Sequence, residues 1–440
     1  MNHGLNNLDI RAKLAIGALA LAMAAASHAA TQVGGGATLP AIGYVGTGAE
    51  TNSQVFPAGT GSLFGVWSAG SRTSVSYCQT GSGAGKNILE GLPNYNVQNP
   101  CPTNSTGTLH GFGAPVAGRS DLLWPNFVGA DSPLSSTDLS NYSAHHSSSS
   151  LPVQVPAVAG AISIALNKTT TKGVVLNSTN TNFTDAQLCS IFSGVVANWN
   201  DPSLASAFTL GSGDSIPAGT INVQYRSDGS GTTFSFSNHL SKVCSGTASQ
   251  HFVTNQLFTS VVGLYKPTIP SNWTGSSGNP AVAKAIGSTA GSIGYVETAN
   301  SQAQGISFAK VNGFNPSSFG APVAISSSNI VINQVISGAD AATGRPTLAA
   351  ISPAPTTQCV MLVKPDSYAT STTSYPIVAI SYLLGSSQGN GTDLANTRGV
   401  LASPYTVNQS SVTTMGTGKG LAFLSGIGIT SSTVSGCVIN

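Results

Sequence analysis

Strand-like and helix-like segments alternate along this chain, and that order favours α/β units built on a parallel sheet. Apolar patterning predicts strands over Ala161–Leu166 and Ile221–Tyr225. Short helices are predicted over Phe183–Gly194, where a Thr and a Gln have capping-box spacing, and from Asn279, which a proline follows. The apolar run Tyr375–Leu384 fits a buried strand or a helix equally well. With 440 residues the chain exceeds the ~250–300 at which single cores stop growing, so its length predicts two or three domains. Together with the alternating elements this favours two α/β lobes.

The amino terminus has the features of an export signal. Arg11 and Lys13 precede an apolar stretch, and a Ser-His-Ala sequence follows with small residues at both cleavage positions, which predicts a signal peptide over residues 1–29. The alternative is a transmembrane anchor, which is disfavoured because about 13 apolar residues are too few for the ~30 Å core of a bilayer. We therefore expect a periplasmic protein, with secretion out of the cell as the alternative.

Charged side chains are scarce, and their balance argues against one class of partner. They make up 7% of the chain, against the usual ~25% of soluble domains, and the net charge is +2. Since no basic run is present to neutralise several phosphates at once, nucleic-acid binding is not expected. Disorder is excluded as well, because 40% of the residues are hydrophobic.

The cysteines agree with an oxidising compartment. There are six of them: Cys78, Cys101, Cys189, Cys244, Cys359 and Cys437. None forms a C-x-x-C pair, and the five histidines that follow the signal peptide lack metal-ligand spacing and are expected at the surface, so no metal or other cofactor is predicted. Among the possible disulfide pairings we favour the sequential one (78–101, 189–244 and 359–437), because it keeps each bridge within one region of the chain.

Three glycine-rich segments each precede a predicted helix: Gly34–Pro40, Thr80–Asn87 and Arg226–Phe234. Helix N-termini expose unpaired N–H groups and the positive end of the helix dipole, so such segments predict an anion site. Glycine lets the backbone approach the anion, nearby hydroxyls add donors, and Arg226 suits a tetrahedral oxyanion through two hydrogen bonds. A fourth segment, Gly129–Leu134, supplies an acid. For any single segment the alternative is an ordinary helix cap.

Seven motifs follow one another in a specific order. They are GGGATLP (34–40), GSGAG (81–85), GADSPL (129–134), IFSGVVANWND (191–201), YRSDGSGTTFSF (225–236), GSIGYVE (291–297) and YPIV (375–378). In this order the chain resembles the periplasmic phosphate-binding proteins of phosphate ABC transporters, the PstS-like family. The opening GGGATLP is most similar to the DING branch, although the Asp-Ile-Asn that names the branch is absent and the chain reads Thr31-Gln32-Val33 instead.

The resemblance implies a set of phosphate-binding residues. Carried over position by position, they are Thr38, Leu39, Ser82, Asp131, Arg226, Ser230, Gly231 and Thr232. Thr38 and Ser82 would bind through hydroxyl and amide, and Leu39 through its amide. Arg226 would be the one charged donor, and Asp228 matches the residue that holds it in place. The loop GSGAG replaces the family's more usual GSSGG, which removes one hydroxyl.

A carboxylate in an anion site has a chemical reason. Phosphate carries a proton at neutral pH, and Asp131 would accept a hydrogen bond from it, whereas sulfate has no proton to give. A site that requires a hydrogen bond rejects an analogue lacking it by roughly 10⁴–10⁵. We therefore expect Asp131 to set specificity and Arg226 to supply affinity. The alternative for Asp131 is an N-cap of the following helix.

The fold that the resemblance implies is a bilobed type II periplasmic binding protein with two α/β lobes. Lobe one would combine residues 31–155 and 301–440, and lobe two would be residues 156–300. Crossing segments near 152–156 and 299–305 would form a two-segment hinge. The implied function is the capture of inorganic phosphate and its delivery to a membrane permease of the ABC type, by a monomer without enzymatic activity.

Two alternatives from other classes stay open. One is a phosphatase, since such activity has been credited to DING relatives. It would need a nucleophile or metals, and the sequence offers neither. The other is a secreted phosphate-scavenging or surface protein without a permease, which the unusually polar, Ser/Thr-rich loops favour.

Overall fold

The computed structural model describes residues 29–49, 55–92, 124–244, 251–263, 266 and 268–440. The predicted signal peptide lies outside the described residues except for Ala29, and so does Cys101 with its predicted bridge to Cys78. Within the described ranges, no helix combines the length and the apolar character needed to cross a bilayer.

The strands are short except for one. They are β1 (Ala29–Gly36), β2 (Val55–Pro57), β3 (Thr73–Gln79), β4 (Phe127–Ala130), β5 (Pro152–Asn167), β6 (Asn182–Phe183), β7 (Asn222–Arg226), β8 (Thr274–Ser276), β9 (Ser292–Glu297), β10 (Lys310–Val311), β11 (Val323–Ala324), β12 (Ile330–Ile332), β13 (Gln334–Ala339), β14 (Pro346–Ala350), β15 (Met361–Val363), β16 (Val378–Ser386) and β17 (Leu421–Ser425).

Helices lie between most of these strands. They are α1 (Ala41–Val45), α2 (Leu63–Ser71), α3 (Ser82–Leu89), α4 (Ser136–His145), α5 (Asp185–Phe192), α6 (Gly231–Val243), α7 (Phe258–Val262), α8 (Asn279–Ser288), α9 (Thr298–Ala303), α10 (Leu394–Thr406) and α11 (Ser431–Cys437). The run from Tyr375, which the sequence left undecided, forms a strand from Val378 onward.

One mixed sheet of eleven strands organises the fold, in the order β2-β3-β1-β4-β16-β5-β9-β7-β8, with β17 also paired to β5 and β11 to β17. Two sets of strands within it are parallel. The first contains β1, β3 and β4, and the second contains β7, β8 and β9. Both β16 and β9 run antiparallel to β5, and β16 is antiparallel to β4. The two parallel sets therefore run in opposite directions. Because β16 pairs with residues 152–161 of β5 and β9 pairs with residues 162–167, the two sets lie along successive lengths of β5 and their carboxyl ends face each other.

Strand β5 belongs to both parts of this sheet. Its residues 152–161 pair with β16, and its residues 162–167 pair with β9. The predicted strand Ala161–Leu166 is therefore only the second part of a 16-residue strand that is buried almost throughout. The first part of β5 contains Pro152 and Pro156, and proline argues against a central strand, which explains why the full length was missed.

The helix boundaries predicted from local sequence signals are confirmed at α5 and α8. Thr184 and Gln187 form the predicted capping box of α5, with the Thr184 hydroxyl accepting from the Gln187 amide at 3.3 Å. Gly194 lies just beyond that helix at a φ of +75°, which favours glycine. Helix α8 begins at Asn279 with proline in its first turn, as predicted.

Two disulfides match the sequential pairing. Cys189 bonds to Cys244, and Cys359 bonds to Cys437. The first bridge ties α5 to the end of α6, and the second ties the segment before β15 to the last residue of α11. Both bridges therefore join elements of one region, as the sequential pairing assumed.

The surface expectation for the histidines is wrong for His239. Its side chain is buried in α6, where Nδ1 lies 2.9 Å from the Ala369 carbonyl oxygen and Nε2 lies 3.1 Å from Asp185 Oδ1. A histidine whose two ring nitrogens both have partners is satisfied in a core, so it needs neither solvent nor a metal.

Candidate functional site

The carboxyl ends of the two parallel sets of strands meet in one place, and the predicted site residues lie there. Thr38 follows β1, Ser82 follows β3 as the first residue of α3, and Asp131 follows β4 directly. From the opposite set, Arg226 is the last residue of β7, and Thr232 lies in the first turn of α6. Carboxyl ends of strands in α/β sheets are where ligands bind, because helix N-termini converge there.

Hydrogen bonds join these segments directly. Arg226 Nη1 donates to Thr38 Oγ1 at 3.2 Å and lies 3.4 Å from Thr232 Oγ1. On the far side, the Asp131 amide donates to Ser82 Oγ at 3.1 Å. All eight predicted residues are buried: Thr38, Leu39, Ser82, Asp131, Arg226, Ser230, Gly231 and Thr232. The structure therefore brings together residues that lie up to 194 positions apart in the sequence.

Arg226 is held by Asp228 through two hydrogen bonds. Nε donates to Asp228 Oδ1 at 2.7 Å, and Nη2 bonds to Oδ2. Asp228 Oδ1 also accepts from the Gly278 amide at 3.1 Å. Burial alone would raise the pKa of Asp228, but the charge of Arg226 outweighs it and the pKa lies below its usual value. The carboxylate stays ionised and fixes the guanidinium, while Nη1 points to the threonines.

Asp131 is the second buried acid of the site. Its Oδ2 accepts from Ser82 Oγ at 3.4 Å, whereas Oδ1 is buried and makes no hydrogen bond of ordinary geometry with the described residues, although the Ser381 hydroxyl lies near the carboxyl group. Burial raises the pKa of Asp131 to about 7, although the Ser381 hydroxyl, the charge of Arg226 and Ser82 lower it. The alternative role of a helix cap is not used, since Ser135 and Asp138 form the capping box of α4.

Glycines allow the segments from the two sets of strands to touch. A Cβ on Gly231 would lie 2.4 Å from Asp131 Cβ, and a Cβ on Gly81, whose φ is +86°, would lie 2.4 Å from Asp228 Oδ2. The Gly83 amide donates to the Gly229 carbonyl at 2.8 Å, which joins the start of α3 to the loop before α6. Any side chain at Gly231 would force these segments apart.

Two of the predicted residues have structural contacts as well. Leu39 directs its side chain to β5, where a Cβ on Gly160 would lie 2.6 Å from Leu39 Cδ2, so the side chain packs in the core and binding through the Leu39 amide stays a prediction. Ser230 caps α6, because its hydroxyl accepts from the Thr233 amide at 3.0 Å. Its own amide donates to Gln256 O at 3.1 Å, which leaves the hydroxyl hydrogen as the group that Ser230 can offer a ligand.

Two further polar residues lie at the same place, and the sequence had not marked them. Asn279 begins α8 after β8, and its side chain bonds to the hydroxyls of Thr38 and Thr232. Glu297 ends β9 and caps α9 by accepting from the Ala299 and Asn300 amides at 2.7 and 2.9 Å. Burial raises the pKa of Glu297 to about 8. Both positions follow the strand-end rule, which was the signal available to find them.

Within the part of the chain that the structure describes, no three or more His, Cys, Asp or Glu side chains are grouped so that they could hold a metal ion. The polar groups of the site are one guanidinium, hydroxyls, amides and one unpartnered carboxylate oxygen. This set can donate hydrogen bonds to a tetrahedral oxyanion and accept one hydrogen bond from it.

Comparison with known proteins identifies the family. The PBP superfamily domain matches residues 37–396. Alkaline phosphatase L of Pseudomonas aeruginosa is 31% identical over 323 residues, which cover 72% of this chain and 69% of that protein. Phosphate-binding protein PstS 3 of Mycobacterium leprae is 30% identical over 295 residues, which cover 67% of this chain and 71% of the relative.

Solved structures agree in fold. A phosphate-binding protein from Stenotrophomonas maltophilia superimposes with a TM-score of 0.59 at 23% identity, over 93% of each chain. The periplasmic phosphate-binding protein PfluDING, solved with phosphate bound, gives 0.56 at 21% identity, over 92% of each chain. The predicted α/β fold of a bilobed type II periplasmic binding protein is confirmed. The chain therefore belongs to the PBP superfamily and, within it, to the family of the PstS-like phosphate-binding proteins.

Proposed function

We propose that this protein binds inorganic phosphate between two lobes and delivers it to a membrane permease of the ABC type. The observation that carries the proposal is Asp131 Oδ1, a buried acceptor without a partner in a site where the other ligand-facing groups are donors. An anion that still carries a proton satisfies both kinds of group at once. Phosphate is such an anion, and fully ionised sulfate is not.

The two lobes of the proposal keep the bounds expected from the sequence, although β5 stays paired with β16 of lobe one as far as Ala161. Lobe one comprises residues 31–155 and 301–440, and lobe two comprises residues 156–300, with the chain crossing near 152–156 and 299–305. Thr38, Ser82 and Asp131 then come from lobe one, and Arg226 and Thr232 come from lobe two. A ligand that bonds to both sets stabilises the closed arrangement, because open lobes cannot make all its contacts together.

The physiological setting is part of the proposal. A monomer exported to the periplasm, or secreted, captures phosphate and presents it to the permease without altering it. The name of the Mycobacterium leprae relative supports the ligand, since it is a phosphate-binding protein. The scarcity of charged side chains supports an extracytoplasmic location, because solubility then depends on Ser, Thr, Asn and Gly.

Calorimetric titration of the purified protein with phosphate and sulfate tests the proposal. We expect heat of binding with phosphate and none with sulfate at the same concentration. Arg226→Lys keeps a charge beside Asp228, but a single ammonium cannot bond to that carboxylate as Nε and Nη2 do and also reach the site as Nη1 does. It should therefore weaken phosphate binding by about 10- to 100-fold. Arg345→Lys is the matched control, because Arg345 also pairs with an aspartate, Asp366, away from the site. Equal binding of sulfate would contradict the role of Asp131.

Phosphatase activity is the second candidate, because the Pseudomonas aeruginosa relative is named alkaline phosphatase L. A chromogenic phosphomonoester distinguishes the two functions. Turnover by the unchanged protein that Asp131→Asn abolishes would favour an enzyme that uses this site. Tight binding of phosphate without turnover of the ester would favour the transport function. If the protein neither binds phosphate nor hydrolyses the ester, a role as a surface protein would be favoured instead.

A further inference from the structure

Asn279 connects two hydroxyls of the site that come from opposite sets of strands. Its Nδ2 lies 3.1 Å from Thr38 Oγ1 and 2.9 Å from Thr232 Oγ1, and its backbone amide lies 3.2 Å from Thr38 Oγ1. The residue is fully buried at the start of α8. No described residue other than Arg226 also bonds to both of these hydroxyls.

The orientation of the Asn279 amide is fixed by a third contact. Its Oδ1 accepts from the Glu297 backbone amide at 3.3 Å, which puts the oxygen on the β9 side and the NH₂ group on the threonine side. Glu297 is itself held by the amides at the start of α9. The side chain therefore presents donors, and only donors, to the two threonines.

The donors around the two threonines occupy the lone pairs of their hydroxyl oxygens. A hydroxyl has one hydrogen to donate and two lone pairs with which to accept. Thr38 Oγ1 faces three donors, namely Arg226 Nη1 and both nitrogens of Asn279. Thr232 Oγ1 faces two, Arg226 Nη1 and Asn279 Nδ2. The lone pairs of both oxygens are thus engaged, and each hydroxyl hydrogen has to point to an acceptor elsewhere.

We propose that Asn279 is a positioning residue that determines specificity, because it restricts the Thr38 and Thr232 hydroxyls to donating. The inference rests on the proposed phosphate site. A ligand oxygen at this end must be a pure acceptor, since neither hydroxyl can accept its proton. The proton of the ligand is then directed to the opposite end, where Asp131 Oδ1 is the free acceptor. Asn279 and Asp131 together fix which oxygen of the anion is protonated.

Two substitutions of Asn279 separate this role from a structural one. Asn279→Ala removes the side-chain donor and should raise the Kd for phosphate by about 10-fold, as expected for one lost hydrogen bond. Asn279→Asp keeps the shape but turns the donor into an acceptor that captures both hydroxyl hydrogens, so the Kd should rise by about 100-fold or more. A residue that only supports the fold predicts the reverse order, because aspartate preserves the packing and suits a helix N-terminus.

Asn167→Ala is the matched control. Asn167 Nδ2 donates to the carbonyls of Ile286 and Gly287 at the other end of α8, at 3.1 and 2.9 Å, and has no contact with the threonines. It should loosen the same helix and leave the Kd for phosphate unchanged. Urea unfolding of each variant confirms that binding is measured on folded protein, and Asn279→Asp is compared with the unchanged protein should Asn279→Ala not fold.

A double-mutant cycle gives the second readout. In a Thr232→Val background one of the two hydroxyls is gone, so Asn279→Asp should weaken binding by clearly less than it does in the unchanged protein. Two results would overturn this inference but not the proposed function. One is an equal rise in Kd on Asn279→Asp in both backgrounds, and the other is phosphate binding by Asn279→Asp as tight as in the unchanged protein. Failure of the unchanged protein to bind phosphate would instead overturn the proposed function on which it rests.

Discussion

Asp131 makes the stability of the ligand-free protein depend on pH in a defined way. Burial raises its pKa from 3.8 to about 7, so the folded protein holds a proton that the unfolded chain releases between these values. The free energy of unfolding should therefore fall as pH rises through this window. At 1.36 kcal/mol per unit of pKa, the unfolding free energy lost relative to low pH is about 2 kcal/mol at pH 5 and about 4 kcal/mol at pH 7.

Asp131→Asn removes the titration while keeping the shape of the side chain. Between pH 5 and 7 the unchanged protein should lose about 2 kcal/mol more unfolding free energy than the variant. Burial raises the pKa of Glu90 to about 8, and the resulting slope is common to both proteins and cancels in the comparison. Burial also raises the pKa of Glu297 to about 8, and the charge of Asp131 adds to that shift, so the measured difference includes a smaller contribution of the same sign from Glu297. Urea unfolding followed by tryptophan fluorescence, in buffers without phosphate, measures the difference.

Asp366→Asn provides the control, because that carboxylate is 72% exposed and lies outside the site. This variant removes an exposed carboxylate without touching the site, so it shows how much of any change comes from the loss of a surface charge. Parallel curves for Asp131→Asn and the unchanged protein would refute the reasoning. Asp131 would then be hydrated in the free protein, which means that the closed contacts between the two sets of strands do not persist in solution without a ligand.

Three further results are expected. Gly231→Ala places a Cβ 2.4 Å from Asp131 Cβ, so calorimetry should find phosphate binding lost while circular dichroism stays native; unchanged affinity would contradict the close approach. Lys86 Nζ lies 2.5 Å from the buried Asp138 Oδ2, and Lys86→Met leaves that carboxylate without its ion pair. The unfolding free energy should fall by about 3–5 kcal/mol, measured by urea unfolding, and a loss under about 1 kcal/mol would show that the pair contributes little. Phosphate at 100 times its Kd should add about 2.7 kcal/mol to the unfolding free energy, and sulfate giving the same gain would count against selectivity.

Much of the site was predictable because its signals are local. Strands β1, β3 and β7 each end near a turn of glycine and hydroxyl residues that leads into a helix, so segments such as 34–40 and 226–234 stand out in the sequence alone. The capping box at Thr184 and Gln187 is local in the same sense, since both partners lie within one turn. Signals of this kind need no knowledge of what packs against them.

The features that the sequence did not reveal depend on distant partners. Asn279 contacts Thr38, which lies 241 positions earlier in the chain. The strand before Asn279, β8, has only three residues and is too short to show the alternating pattern that would predict a strand end there. His239 was expected at the surface because nothing near it in sequence indicates that Asp185 and Ala369 enclose it. The residues from Tyr375 stayed undecided because a run that is buried on every side has no polar face to set its period.

Strand β5 makes the two lobes inseparable as modules. Its residues 152–161 complete the sheet around β16, and its residues 162–167 complete the sheet around β9, so each lobe borrows part of one strand. A fragment that ends near residue 155, or starts near 156, leaves one of these sheets without its partner strand. Unpaired strand edges recruit other chains. Lobes expressed as separate fragments should therefore aggregate, and only a chain that carries β5 intact can fold as a soluble unit.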